Sequence, residues 1–223
     1  MQYPSSWLKG SSLGESIAAE LRLQIIAGTI KPGAVLSENR IAADFGTSRS
    51  PVREALKTLS GEGLIHLQRM GAVVNGLSLQ DVDELYDVRY LIESFASQRM
   101  AEGPEALIAP LSQIIDKMVL AGKHRDVVEF AYQDLCFHET IIAGANHTRI
   151  MHLWTSIRQI VMTVMLITTR EVLSQGEDKI DYVIGKHRKL LQALESRDAD
   201  IIGQNVEEYF ADSHRTLKTS IPQ

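Results

Sequence analysis

The chain has 223 residues, 44% hydrophobic and 23% charged, the balance of an ordinary water-exposed globular protein with room for one large or two modest domains. It has no unbroken run of about 18 apolar residues, and its start, MQYPSSWLKG, lacks a charged-then-apolar leader, so neither a membrane span nor export is expected. The one cysteine, Cys136, excludes an internal disulfide and fits a reducing cytoplasm. A formal net charge of −5 argues against a generic nucleic-acid binder, but the charge is segregated. Residues 1–76 hold 8 Lys/Arg against 6 Asp/Glu, and residues 77–223 hold 15 against 22. An acidic remainder leaves one basic face to approach an anionic partner.

Leu13, Ile17, Leu21 and Ile25 recur every four residues, which predicts an amphipathic helix over about 12–27, ended by Gly28. Ile30-Lys31-Pro32-Gly33 reads as a turn. Ser37 is placed to cap a second short helix over about 38–45, with Glu38 favouring its first turn and Gly46 stopping it. A third helix follows within Thr47–Leu59. Val52, Ala55, Leu56 and Leu59 form its core-facing stripe, while Arg49, Arg53 and Lys57 share another face. Ser48 or Ser50 can cap it, and Pro51 suits its first turn.

Two arginines at the start of a short helix suit the DNA major groove, because their forked donors match guanine edges or phosphates and the free helix N–H groups attract phosphate. Alone, the same pattern is equally a solvated basic face. Its neighbours complete a helix-turn-helix pattern. Leu64-Ile65 with Leu67, a Gln68-Arg69-Met70-Gly71 turn and Ala72-Val73-Val74 then predict a hairpin. The expectation for 10–76 is therefore a winged helix-turn-helix. Arg69 and Gly71 stand at the wing tip, where they could touch DNA backbone or minor groove; Gly71 is equally a residue supplying positive φ in a turn.

From 79 to 220 the chain reads as all helix, in segments near 79–102, 104–121, 125–143, 147–173, 178–196 and 199–218. Gly103-Pro104, Gly122, Gly144 and Gly176 punctuate them, and Ser196-Arg197-Asp198 offers a cap for the last. Polar residues interrupt the apolar stripes: Arg89 in the first segment, Asp134 and His138 in the third, His187 in the fifth and Tyr209 in the sixth. Burying such groups costs several kcal/mol unless they find partners. If the helices share one core, these groups converge on an internal polar pocket. Asp134 and His138, four apart, suit a divalent metal, with His187 as a third ligand. Taken singly, each is also an ordinary hydrogen-bonded core residue, and Arg89 can pair with Glu93 one turn on.

The segment IIAGTIKPGAVLSENRIAADFGTSRSPVREALKTLSGEGLI, with its G-x-I-x-P-G turn, L-S-E and S-R-S-P-V-R-E-A-L, resembles the N-terminal domain of GntR-family bacterial transcription regulators. The resemblance implies that Ser48, Arg49 and Arg53 carry the main DNA contacts, with Ser50 and Arg40 beside them. The rest resembles the FCD domain, the all-helical effector domain of the FadR branch of that family. Asp134-Leu-Cys-Phe137-His138 approximates its D-x-x-F-H, Asn146 follows in the expected loop, KHRKLLQALESRDAD carries the next histidine, and Arg89 with Glu93 matches R-x-x-x-E.

That resemblance implies a divalent metal such as Zn, Ni or Mn on Asp134, His138 and His187. Metal-containing members use one Asp and three His, the last two histidines 22 residues apart. Here that count from His187 reaches Tyr209, and His214 lies five residues further. Either the ion has a weaker site, or there is none and Tyr209 binds effector directly. The segments RSPVREALK, RMGAVV, YDVR and LCFHETII are similar to gluconate-responsive members, which implies D-gluconate or a near relative as effector. Its carboxylate needs a cation, Arg89 or Arg158, or a metal; its hydroxyls need partners such as Asn146 and Tyr209. The expectation is a cytoplasmic homodimeric repressor on an operator duplex, released by effector. The rivals are a regulator tuned to another small carboxylate and a helical metalloenzyme.

Overall fold

The computed structural model describes residues 2–69, 71–102 and 105–220. Gly103-Pro104 and Met70 lie outside them. Two compact units meet at Leu79/Gln80 in the sequence.

In the first unit, α1 (Leu13–Ile26) begins with a capping box. Ser12 Oγ accepts from the Glu15 N–H, and the Glu15 carboxylate accepts from the Ser12 N–H at 2.7 Å. Ile17, Leu21 and Ile25 are buried, and Gly28 at φ +69° turns the chain. α2 (Glu38–Asp44) and α3 (Arg49–Gly61) follow as a helix-turn-helix. α3 buries Val52, Ala55, Leu56 and Leu59, the stripe read from the sequence. Arg22, 2% exposed, ties α1 to the end of α3 through Glu62, with Nε–Oε2 at 2.7 Å and Nη2–Oε1 at 2.5 Å.

The hairpin is β2 (Ile65–Gln68) and β3 (Gly71–Val74), but a third strand, β1 (Val35–Ser37), pairs with β3 on its other side. Both pairings are antiparallel, and Ala72 faces Leu67 on one side and Leu36 on the other. Three residues are too few for a period-two signal, so β1 was not legible in the sequence. Ser37 and Ser48 occupy the N-cap positions of α2 and α3, but neither side chain makes the expected capping bond.

The second unit is α4 (Leu79–Arg99), α5 (Ile108–Lys123), α6 (Val127–Gly144), α7 (Thr148–Ser174), α8 (Glu177–Ser196) and α9 (Ala199–Ser220). Their order and approximate bounds follow the periodic segments. Asp126 caps α6, and the Asp198 carboxylate accepts from the Asp200 and Ile201 N–H groups at the start of α9. Threonines break the apolar run of α7, yet the helix is long and apolar enough by composition to cross a membrane, with a window of mean hydropathy 1.4. Half of that window is buried within the unit, as for the central helix of a bundle; Trp154, Val161, Val164 and Leu166 are in the core.

Candidate functional site

In the first unit the sequence-predicted contacts fall mainly at the start of α3. Ser48, Arg49 and Ser50 are exposed. The Arg49 guanidinium has no hydrogen-bond or ion-pair partner among the described residues. With no side-chain cap on α3, its leading N–H groups stay available to an anion. Arg53, one turn on and 55% exposed, is held by Glu38, with Nε donating to Oε2 at 2.9 Å; Glu38 is buried at the start of α2. Arg40 is 85% exposed, with only a 3.9 Å contact to Asp44. Arg69 is exposed beside the β2–β3 turn. Gly71 is a correction. It is buried inside β3, and a Cβ there would lie 2.0 Å from the Leu36 carbonyl oxygen. It lets β1 approach β3 and offers no surface to DNA.

The second unit brings four helices to one buried cluster: Arg89 and Glu93 from α4, Asp134 and His138 from α6, His187 from α8 and Tyr209 from α9. Arg89, Glu93, His138 and His187 are each no more than 3% exposed. Arg89 Nε donates to Glu93 Oε1 at 2.9 Å, and His138 Nδ1 lies 2.5 Å from Glu93 Oε2. That close approach sets the Glu93 carboxylate against the Nδ1 side of the His138 ring. His187 Nδ1 donates to the Val183 carbonyl at 2.9 Å. Both rings therefore turn the lone pair of Nε2 inward, towards Asp134 Oδ1, at 2.9 Å for His187 and 3.4 Å for His138. The Tyr209 hydroxyl stands 2.9 Å from His138 Nε2 and 3.3 Å from His187 Nε2.

The donors do not balance. Two imidazole lone pairs and a carboxylate oxygen converge, with the single Tyr209 proton to share. A further proton or a cation is required among them. The set fits a divalent metal: Asp134, His138 and His187 offer ligand atoms within 4.8 Å of one another. Outer partners, Glu93 and the Val183 carbonyl, fix both rings as they do for metal-ligating histidines. Burial pushes the Asp134 carboxyl up, but His187 and His138 outweigh it and hold it well below the usual range. Burial raises Glu93 likewise, and Arg89 and His138 bring it below its ordinary value. Burial lowers His138, and Glu93 more than restores it, so its proton affinity is raised. Burial, then the Asp134 charge, pushes the Tyr209 phenol well above its ordinary value, so it remains a neutral hydroxyl.

A cavity of about 60 Å³ adjoins the cluster, lined by Arg89, Asp134, Thr168, Thr169, Lys186 and Tyr209 among others. Arg89 Nη2 is buried there with no hydrogen-bond partner. Arg158 and Asn146 are not brought to this place. Arg158 is committed to Glu139 through Nε and Nη2 and lines no part of the cavity. Asn146 is exposed with φ +47°, where its residue type serves the α6–α7 turn. The sequence reading missed Lys186 and the two threonines as lining groups. Lys186 flanks the apolar stripe of α8 rather than interrupting it, so periodicity gave no signal.

A winged helix-turn-helix with exposed arginines, and a separate helical unit enclosing a polar site, define a DNA-binding transcription regulator with a ligand-sensing domain, not an enzyme. Residues 13–74 match the family described as bacterial regulatory proteins, gntR family, and residues 84–212 match the FCD domain. The chain belongs to the GntR family of bacterial regulators, in its FCD-containing branch. It is 40% identical over 211 residues to the gluconate operon transcriptional repressor of Bacillus subtilis and 38% identical over 211 residues to that of Bacillus licheniformis. Each alignment covers 94% of this chain and 87% of the relative. Among solved structures, E. coli McbR/YncC shares the fold with a TM-score of 0.70 at 22% identity, over 93% of this chain and 98% of that one.

Proposed function

We propose that this protein is a cytoplasmic repressor that binds a near-palindromic operator as a homodimer and leaves it when D-gluconate, or a close sugar-acid relative, enters the helical unit. Residues 10–76 form the reading domain, and 79–220 the effector and dimerisation domain. Arg49 reads a base edge or clamps phosphate. Ser48, Ser50 and the α3 N–H groups take phosphate, Arg53 follows in the groove, and Arg40 and Arg69 add backbone contacts. A two-fold protein suits a two-fold site.

The observation that carries the sensing half is the buried Arg89, which lines the same cavity as Asp134 and Tyr209 and whose Nη2 has no hydrogen-bond partner among the described residues. A carboxylate satisfies that donor, and the hydroxyl beside it meets Asp134 or Tyr209. The names of the two Bacillus relatives support gluconate. Asp134, His138 and His187 would hold a divalent ion such as Zn, Ni or Mn, which when bound supplies an open coordination position for the effector's carboxylate. Tyr209 takes the place of the fourth protein ligand and donates to a histidine or to the effector. Effector binding favours one spacing of the two reading domains over the other, which releases DNA.

The test is fluorescence anisotropy of a labelled duplex from the gene's own upstream region. Wild type should bind and be released by D-gluconate. Arg89→Met should bind DNA equally well but need about ten- to hundredfold more gluconate, the worth of a charge-assisted hydrogen bond. Normal induction in that variant would show that the carboxylate is held elsewhere. Turnover of the sugar acid would overturn the regulatory reading itself.

A further inference from the structure

A second, larger cleft of about 310 Å³ lies between α8 and α9 and shares Lys186 and Tyr209 with the inner cavity. Those two side chains form the partition between them. The inner space of about 60 Å³ is well below the volume of an ordinary ligand site and about a fifth of the outer one. The inner cavity therefore suits the carboxylate end and the first hydroxyl of such a molecule, and the remainder must lie elsewhere. The outer cleft has the volume of an ordinary ligand site.

Resting on the sugar-acid reading above, we infer that the effector spans the partition, with its carboxylate at Arg89 and its polyhydroxy tail in the α8–α9 cleft, and that Lys186 governs the chain length accepted. Lys186 Nζ bonds Asp212 Oδ2 at 2.8 Å and Ser213 Oγ at 3.0 Å, and lies 4.9 Å from the centre of the Tyr209 ring. Its side chain is 14% exposed. All three contacts are to α9, so a swing of one flexible stem opens the partition without moving a helix, and a ligand hydroxyl can replace the Ser213 acceptor.

The cleft's chemistry fits a hydroxylated tail better than a second anion. Lys186, Lys189 and Arg215 are set against Glu208 and Asp212, so neither sign dominates, and Asn205, Tyr182 and Tyr209 add neutral donors and acceptors. Ala211 lines the same cleft and is exposed, so a large side chain there obstructs the tail without disturbing the core.

The experiment is calorimetric titration of a series of aldonates of three to six carbons into wild type, Lys186→Met and Ala211→Trp, with operator affinity as the control for folding. In wild type, affinity should rise with chain length. In Ala211→Trp the gain beyond three carbons should disappear, and in Lys186→Met gluconate should lose about tenfold more affinity than the three-carbon acid. A gain with chain length that persists in Ala211→Trp, or equal losses for short and long acids in folded Lys186→Met, overturns the inference. Wild type that binds no aldonate overturns the sugar-acid reading on which it rests.

Discussion

His187 is fixed through Nδ1 by the Val183 carbonyl and turns Nε2 to Asp134 Oδ1 at 2.9 Å. His138 turns Nε2 to the same oxygen at 3.4 Å, with the Glu93 carboxylate against its Nδ1. On the proposed metal reading, protein dialysed against Zn, Ni or Mn should retain about one ion per chain, and His187→Gln should lose at least tenfold in affinity, measured by competition with a chelator. Retention unchanged in that variant would place the ion elsewhere.

A pH prediction also belongs to single residues. Burial pushes the Asp212 carboxyl up, but hydrogen bonds from Lys186 and Tyr182 outweigh it and hold it below its ordinary value of 3.8. Its stabilising contribution is thus complete above that value and lost as pH falls through the depressed one. Melting temperature should decline below about pH 4, and Asp212→Asn should flatten part of that decline; an identical slope in the variant would contradict the assignment. Asp134, His138, His187 and Arg89 were legible because each interrupts an apolar stripe. Arg158 was misplaced because charge alone does not reveal direction, and its partner Glu139 sits on the helix before it.

Among the elements, α3 matters most, and its position depends on contacts outside itself. Arg49→Ala should weaken specific operator binding about ten- to hundredfold, the worth of a bidentate base contact, with no change in melting temperature. Unchanged operator affinity would remove α3 as the reader. Arg22→Met leaves Glu62 buried and unpaired, which should cost about 3–5 kcal/mol in urea unfolding, with part recovered by adding Glu62→Leu. Gly71→Ala forces a methyl onto the Leu36 carbonyl and should cost about 1–3 kcal/mol; stability equal to wild type would refute the close strand approach. Helix order and approximate bounds were readable from periodicity and punctuation. β1 was not, because it exists only through pairing with a strand more than thirty residues away. The unused caps at Ser37 and Ser48 were also hidden, since side-chain rotamer choice leaves no trace in the sequence.

For the whole molecule, the division of charge seen in the sequence corresponds to a division of labour: a basic reading unit and an acidic sensing unit. The central claim is that the two are thermodynamically coupled. Any effector that weakens operator binding by some factor must itself be weakened by operator to the same degree. The direct measurement is calorimetric titration of D-gluconate into free protein and into protein saturated with operator duplex. Gluconate should bind the DNA complex more weakly than the free protein, by the factor with which saturating gluconate lowers operator affinity. Equal gluconate affinity in the two titrations would contradict the coupling.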